Sequence, residues 1–285
     1  MQIGFNMLLW TPFVTEEHFP LFAPLKETGY DGVELEIFEG TPDHYAKVAR
    51  ELDNHGLRRT GVTIIPDHER NVLSADPARR SAGVDHLKWA VDCAAALGAE
   101  ILCGPFYQPL GQFTGTGPTA EEQQRAAAAH RAAAEYAAGA GIPLAVEALN
   151  RFECYFLNTL ADTAAHVARV GHPNFHLMYD TFHANLEEKD PVGVIGEHLP
   201  LIKHVHVSEN DRGAPGSGHV PWDATFRALR QGGYDAWLTI EAFGRTLPEL
   251  AATTCVWRDF SASNEQVYEL GFQTIRDGWR RAGEA

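Results

Sequence analysis

Short apolar runs alternate with longer segments of helical period along this chain, and the alternation occurs eight times. The short runs have the length of buried strands, and the longer segments repeat apolar residues with helical spacing. We predict strands over residues 3–9, 32–37, 59–65, 100–106, 143–149, 176–180, 202–208 and 237–243. The clearest predicted helices cover residues 16–28, 44–55, 77–97, 120–140, 160–170, 223–231 and 264–281.

Glycine residues follow several of the predicted helices, just before the next strand begins. A residue with positive φ at this point ends the helix and turns the chain back. The order strand, loop, helix, glycine, strand is typical of a βαβ unit. Eight such units without a linker predict an α/β fold, a closed (β/α)8 TIM barrel in a single domain over residues 1–285, with an open doubly wound sheet as the alternative. The glycines are Gly29, Gly56, Gly98, Gly141, Gly171 and Gly233.

The composition is that of a globular protein with a large core, and its charge is strongly negative. The 285 residues are 45% hydrophobic and carry a formal net charge of -15 at pH 7. This field repels a polyphosphate backbone and attracts a divalent cation. We therefore predict no nucleic-acid partner, and a small neutral ligand is compatible with the charge.

The cysteine spacing and the N-terminal residues indicate the cellular compartment of the protein. Cys93, Cys103, Cys154 and Cys255 show no CxxC spacing, so we predict reduced thiols rather than a disulfide framework or a zinc ribbon. The first residues lack the basic flank and cleavage site of a secretory signal, and no apolar stretch has the length of a membrane span. These features predict a cytoplasmic protein with no membrane partner.

Four side chains that bind metals stand at or near the carboxyl ends of predicted strands: Glu147, Asp180, His206 and Glu241. In a parallel barrel these ends converge on one mouth, where the chemistry of such folds takes place. Three oxygen donors and one imidazole suit Mn²⁺, Co²⁺, Fe²⁺ or Mg²⁺ better than structural zinc or calcium. Any one of these acids has a simpler interpretation, as a helix N-cap or an ion-pair partner. The four together predict a metalloenzyme.

Five segments of the chain resemble a known family. VEALNRFE (146–153), DTFHANLEE (180–188), HVHVSENDRGAPGSGHVPW (204–222), IEAF (240–243) and VWRD (256–259) occur in the order and with the spacing of the D-tagatose 3-epimerase family. These are ketose 3-epimerases within the xylose isomerase-like TIM barrels. The resemblance is close in the C-terminal half and loose in the N-terminal half.

The resemblance implies one divalent metal ion, Mn²⁺ first and Co²⁺ or Mg²⁺ as alternatives, held by Glu147, Asp180, His206 and Glu241. Glu147 and Glu241 double as the catalytic acid/base pair. The implied substrate contacts, around C1 to C3 of the sugar, are Glu153, His183 and Arg212. The implied partner is a small-molecule sugar, and family members are commonly homodimers or homotetramers.

The resemblance and the chemistry together predict metal-dependent epimerisation at C3 of a free ketose. A proton beside a ketone leaves at neutral pH only if the negative charge that develops on the carbonyl oxygen is stabilised, as by a cation. Inversion then needs one base and a second acid on the opposite face, through a cis-enediolate. D-tagatose, D-fructose, D-allulose and L-ribulose are candidate substrates, as are keto-inositols, 3-keto sugars and phosphorylated sugars.

Three alternative functions stay open at this level. An aldose-ketose isomerase or a dehydratase would use the same metal site. A metallo-phosphodiesterase on the same barrel would need more histidines and a basic groove, and a non-catalytic sugar-binding protein would leave the paired acids unexplained.

Several residues near the predicted site have simpler alternatives. His183 has the alternative of an exposed loop histidine, Arg212 that of a surface ion pair, and Glu153 that of a turn cap. We predict that His204 is a core histidine. The long loop over residues 105–118 is a candidate lid or specificity element. Most of the aromatics near the predicted mouth are expected to be core, namely Phe5, Trp10, Phe38, Phe106 and Tyr107.

Overall fold

The computed structural model describes residues 1–284, and within them eight parallel strands close into a barrel in chain order. The first strand also pairs with the last, so the sheet has no free edge. This confirms the predicted (β/α)8 TIM barrel and excludes the open sheet. The strands are β1 Gln2–Asn6, β2 Gly32–Glu36, β3 Arg58–Val62, β4 Leu102–Gly104, β5 Leu144–Glu147, β6 Phe175–Asp180, β7 Ile202–Val207 and β8 Trp237–Ile240.

Helices pack around the barrel, and most of the predicted ones lie where the sequence pattern places them. They are α1 Phe22–Thr28, α2 Pro42–His55, α3 Pro77–Leu97, α4 Ala120–Ala140, α5 Leu160–Val170, α6 Thr181–Glu187, α7 Gly193–His198, α8 Trp222–Gln231, α9 Pro248–Thr253 and α10 Asn264–Glu284. The six glycines predicted to end helices all have positive φ, as expected. The sequence analysis did not predict α6, α7 and α9, because six or seven residues are too few to show a helical period.

Two predicted elements at the start of the chain need correction. The strand predicted over 3–9 ends at Asn6, whose side-chain oxygen accepts a hydrogen bond from the Leu8 backbone N–H at 2.8 Å and starts a short 3-10 turn. The helix predicted over 16–28 is a 3-10 helix, Glu16–Leu21, followed by α1. Pro20 lies inside the 3-10 segment, where it lacks an N–H to donate.

Several strands are shorter at their carboxyl ends than predicted. β3 ends at Val62 and β8 at Ile240, although the apolar runs continue beyond both. Ile64 after β3, Pro105 after β4 and Phe243 after β8 line a cavity at the mouth instead of pairing in the sheet. An apolar run therefore marks burial, and burial continues past the last ladder hydrogen bond.

The aromatics divide as predicted between core and mouth. Phe5, Phe106 and Tyr107 are buried in the core, and Trp10 packs against Phe5 with the ring centroids 5.0 Å apart. Phe38 lines the cavity at the mouth. Among residues 1–284, no helix combines the length and apolarity that crossing a membrane requires.

Two buried histidines, His130 on α4 and His166 on α5, form a contact between these two helices. His130 and His166 are 0% and 1% exposed, and Nδ1 of the first lies 2.7 Å from Nε2 of the second. His130 Nε2 contacts the Phe106 carbonyl oxygen at 3.1 Å. Burial lowers the pKa of His130 to about 4, and burial together with His130 lowers the pKa of His166 to about 2. Both imidazoles are therefore neutral in the folded protein at neutral pH.

Lowering the pH from 7 to 5 is expected to destabilise the fold through this pair. The unfolded chain takes up protons near the ordinary histidine pKa of about 6.5, whereas the folded chain does not, so stability present above that pH is lost as the pH falls. Each histidine contributes about 2 kcal/mol to this loss. Urea unfolding at both pH values measures it. In a His166→Gln variant the loss should be smaller by about 2 kcal/mol, and an unchanged loss would contradict the prediction.

Candidate active site

The four predicted metal ligands converge at the mouth of the barrel. Glu147 and Asp180 are the last residues of β5 and β6, His206 lies near the end of β7, and Glu241 follows β8 directly. His206 Nδ1 is 3.7 Å from Asp180 Oδ2 and 3.5 Å from Glu241 Oε1. Glu147 joins Asp180 and His183 in a second group whose ligand atoms lie within 4.8 Å of one another. All four side chains are buried.

The spacing of these atoms suits a shared cation. Donor atoms bound to one ion at about 2.1 Å lie roughly 3 to 3.6 Å apart, close to the separations around His206 Nδ1. That nitrogen is fully buried and has no hydrogen-bond partner within residues 1–284. A buried polar atom without a partner is costly unless a bound ion or an ordered water satisfies it. The donor atoms and the geometry of Asp180, His206 and Glu241 therefore fit a divalent metal ion, and Glu147 adjoins them through Asp180.

Asp180 shows that two interpretations of a strand-end acid can both hold. Its Oδ1 accepts from the backbone N–H groups of Phe182 and His183, at 2.6 and 3.2 Å, and so caps α6. Its Oδ2 faces His206 and Arg212. The N-cap fixes the side chain, so that the second oxygen is held toward the site.

Arg212 is inside the site rather than on the surface, and the alternative of a surface ion pair is wrong. Its guanidinium is ion-paired with Glu241 and lies 3.3 Å from Asp180 Oδ2. The Phe182 and Phe243 rings flank it at 3.9 and 4.7 Å. Its backbone φ is +66°, a left-handed conformation that is uncommon for a side-chain-bearing residue. The strained turn directs the charged group back into the barrel mouth.

His183 is also buried, at 2% exposure, so the alternative of an exposed loop histidine is wrong. Its Nδ1 accepts the Asn150 backbone N–H at 2.9 Å. Burial lowers the pKa of His183, in keeping with a neutral ring. Nε2 is 2.9 Å from Arg212 Nη2 and 3.7 Å from Glu147 Oε1. His183 and Arg212 therefore lie in contact beside the cavity, where a substrate oxygen can reach both.

Glu153 faces the same cavity and is tied to the turn after β5. Its Oε1 accepts a hydrogen bond from Asn150 Nδ2 at 2.7 Å, and its backbone N–H donates to the Asn150 carbonyl at 3.0 Å. The turn interpretation and the site interpretation are therefore compatible for this residue. Asn150 connects it to His183, because the Asn150 backbone N–H contacts that imidazole.

Glu147 and Glu241, which both line the cavity, differ in proton affinity. Burial raises the pKa of Glu147 well above its ordinary value, and the carboxyl groups of Glu241 and Asp180 act in the same direction. Burial acts on Glu241 too, but Arg212 and His206 outweigh it and lower its pKa. Glu241 is therefore ionised where Glu147 tends to hold a proton. Unequal pairs of this kind are the pattern expected of an acid and a base.

A cavity of about 160 Å³ opens beside these groups. Its polar wall consists of Glu147, Glu153, His183, Arg212 and Glu241. The rest of the lining is mostly apolar, and the long loop over 105–118 contributes Pro105 and Leu110 to it. The remaining lining residues are Leu8, Phe38, Val62, Ile64, Leu149, Phe243, Leu250, Thr253 and Thr254.

Sequence reasoning missed Glu34, a fully buried glutamate on β2 that lies behind His206. Its Oε1 is 2.6 Å from His206 Nε2, and its Oε2 is 2.9 Å from His204 Nε2. Burial acts to raise the pKa of Glu34, but His206 and His204 lower it well below its ordinary value. The prediction that His204 is a core histidine is confirmed. The available signal was a glutamate within the apolar run GVELE, the same signal that identified Glu147 and Glu241.

Comparisons with known proteins agree with this geometry. Residues 22–284 match the family model described as xylose isomerase-like TIM barrel. The chain is 31% identical to a ketose 3-epimerase of Arthrobacter globiformis, over 97% of this chain and 96% of that protein. It is 33% identical to an L-ribulose 3-epimerase of Methylomonas sp. strain DH-1, over 97% of both chains. The crystal structure of a D-allulose 3-epimerase from Methylomonas sp. in complex with D-allulose is similar with a TM-score of 0.90 and 29% identity, covering 97% of this chain and 96% of that one.

Proposed function

Because this chain belongs to the xylose isomerase-like TIM barrel family and, within it, to the ketose 3-epimerases, we propose that it inverts C3 of a free ketose on a divalent metal ion. It is an enzyme of the isomerase class. The observation that carries the proposal is the pair of buried glutamates, Glu147 and Glu241, which extend from different strands and line one cavity.

The residues that would hold the metal are Glu147, Asp180, His206 and Glu241. Their three carboxylates and one imidazole suit Mn²⁺, Co²⁺, Fe²⁺ or Mg²⁺. The resemblance to the D-tagatose 3-epimerase family favours Mn²⁺, with Co²⁺ and Mg²⁺ as alternatives. When bound there, a divalent cation supplies the Lewis acid that stabilises negative charge on the ketose carbonyl oxygen as the C3 proton leaves.

Glu147 and Glu241 would transfer the protons. They extend from β5 and β8, with two strands between them in the barrel, so they approach a bound sugar from different sides. Glu241, kept ionised by Arg212 and His206, removes the C3 proton of one epimer. Glu147, on the other side of the cavity, delivers a proton to the opposite face. The roles exchange in the reverse direction, as microscopic reversibility requires.

His183, Arg212 and Glu153 would position the reacting end of the sugar. His183 Nε2 and Arg212 Nη2 lie 2.9 Å apart beside the cavity, and the guanidinium is placed to donate to an oxygen at C1 or C2 as that oxygen gains charge. Glu153 offers a carboxylate acceptor for a hydroxyl on the same side of the cavity. Such contacts select the C1 to C3 portion of a ketose.

A free sugar fits the site better than a phosphorylated one. Arg212 is ion-paired with Glu241 and Asp180, and Arg245 pairs with Asp259 beside a different cavity. The Gly216 backbone N–H donates to the Glu209 carboxylate at 2.8 Å, so it is not free for a phosphate. The apolar wall offers few hydrogen bonds to the far hydroxyls. We therefore expect several ketoses, among them D-allulose, D-fructose, D-tagatose and L-ribulose, to be accepted.

Turnover in deuterated water tests the reaction type. The protein is loaded with Mn²⁺ or Co²⁺, incubated with each ketose, and the products are analysed by NMR. An epimerase places deuterium at C3 and yields the C3 epimer, because the proton returned to C3 comes from a solvent-exchanged carboxyl group. Label at C1 or C2 with an aldose product would instead show an aldose-ketose isomerase, and loss of water would show a dehydratase. Either result would overturn the proposal.

A further inference from the structure

Glu34 lies in the middle of β2, below the mouth, and its side chain is 0% exposed. A carboxylate so deep in a barrel costs several kcal/mol to bury unless donors compensate it. The compensation comes from side chains on four other strands. The hydrogen-bond donors to its two oxygens are Asn6 Nδ2 at 3.1 Å, Thr60 Oγ1 at 2.8 Å, Cys103 Sγ at 3.3 Å and His206 Nε2 at 2.6 Å, whereas His204 Nε2 lies 2.9 Å away without hydrogen-bond geometry.

These residues do not form a second metal site, although Glu34, Cys103, His204 and His206 lie close enough to suggest one. The carboxylate oxygens and imidazole nitrogens are 2.6 and 2.9 Å apart, shorter than the roughly 3 to 3.6 Å between donors that share an ion. Such separations are those of hydrogen bonds between a carboxylate and an N–H.

His206 therefore has a different environment at each ring nitrogen. Nε2 contacts Glu34, which accepts a proton but has none to donate when ionised. Nδ1 faces Asp180 and Glu241 at 3.7 and 3.5 Å, and it has no hydrogen-bond partner in the part of the chain that the structure describes. In a neutral imidazole only one nitrogen carries the proton, so the contact at Nε2 decides which atom is free to coordinate.

We propose that Glu34 is a positioning residue that holds His206 as its Nε2–H tautomer and so presents the Nδ1 lone pair to the divalent cation. Hydrogen bonding of the distal imidazole nitrogen to a carboxylate both orients a metal-bound histidine and increases its basicity. Asn6, Thr60 and Cys103 in turn fix the carboxylate of Glu34. The inference rests on the metal site of the proposed function.

The test is the Mn²⁺ affinity of Glu34→Gln, measured by calorimetry on chelator-stripped protein. Glutamine keeps the shape of the side chain but replaces one acceptor oxygen with an NH₂ donor. Where that NH₂ faces His206, it favours the Nδ1–H tautomer, which blocks coordination. The Kd for Mn²⁺ should rise about 10- to 100-fold.

Glu36→Gln is the matched control. Glu36 is on the same strand and is 1% exposed, and its carboxylate oxygens have no hydrogen-bond partner among residues 1–284. Burial raises its pKa well above the ordinary value, so glutamine matches its shape and its neutral charge. Its Kd for Mn²⁺ should stay close to that of the wild type.

The outcomes separate this inference from the proposed function. If the wild-type protein does not bind Mn²⁺, the metal site itself fails. If the wild type binds Mn²⁺ and Glu34→Gln binds it equally well, the metal site stands and the role of Glu34 is overturned.

If circular dichroism shows that Glu34→Gln does not fold, the tautomer of His206 is determined directly in the wild-type protein by NMR. Histidine-¹⁵N long-range spectra of the Mg²⁺-loaded protein, with His206 assigned by its loss in His206→Asn, should show a proton on Nε2. A proton on Nδ1 would overturn the inference.

Discussion

Replacing Glu147 or Glu241 by glutamine is expected to lower kcat for C3 epimerisation by about 10³-fold or more, because each variant lacks one of two proton-transfer groups. Both glutamates are buried and line the cavity, and their pKa values are shifted in opposite directions. Rates are measured at saturating Mn²⁺, with bound metal counted in each variant, because both residues are also proposed ligands. Glu36→Gln, the same change at a buried glutamate that does not line the cavity, should keep close to the wild-type rate.

Exchange of a C3 deuterium label with solvent makes this experiment sharper. In Glu147→Gln, Glu241 remains to remove the C3 proton of one epimer and to return a solvent proton to the same face. Glu147→Gln should therefore exchange the C3 deuterium of one epimer with solvent without inverting C3. Glu241→Gln should exchange the C3 deuterium of the other epimer. If one variant exchanged both epimers, or if both variants still epimerised at near wild-type rate when loaded with metal, the two-glutamate mechanism would be wrong.

Removing divalent metal is expected to abolish turnover, and adding Mn²⁺ or Co²⁺ is expected to restore it. Without a cation, the charge on Asp180, Glu241 and Glu34 is compensated in part by Arg212 and His206, since Glu34 and Glu241 raise the pKa of His206 well above its ordinary value despite burial. Arg212 and His206 do not chelate two neighbouring oxygens of a ketose. The enediolate charge would therefore lack its principal stabilisation.

The measurement is turnover after dialysis against a chelator, followed by titration with single metals. Mn²⁺ at 100 times its Kd should also stabilise the fold by about 2.7 kcal/mol, visible as a higher Tm. Ca²⁺ serves as the matched control, because it prefers six to eight oxygen ligands and this site provides an imidazole. Full turnover by metal-free protein, or equal restoration by Ca²⁺, would contradict the prediction.

Much of the fold could be predicted because its signals are local. Apolar runs and helical periods show which segments are strands and helices, and positive-φ glycines such as Gly98 and Gly141 mark where helices end. The carboxyl ends of the strands were predicted less accurately. Ile64 and Phe243 are apolar because they line the cavity, and they are not part of the sheet.

The candidate site was predicted in part for the same reason. Glu147, Asp180 and Glu241 interrupt apolar strands at their ends, and a barrel brings such ends together. The burial of His183 and Arg212 could not be inferred from their neighbours in sequence. It depends on a hydrogen bond from Asn150 and on a left-handed turn at Arg212.

The sequence by itself determined that this chain forms a barrel of eight βα units and that acidic side chains meet at its mouth, because strand periodicity and strand ends are properties of consecutive residues. Only the tertiary structure decided that Glu34 supports His206, although the two are 172 positions apart in the chain. Closing the barrel brings β2 and β7 to face each other across its interior. Which atoms then share a proton depends on register and rotamer, and neither is encoded in any local stretch of residues.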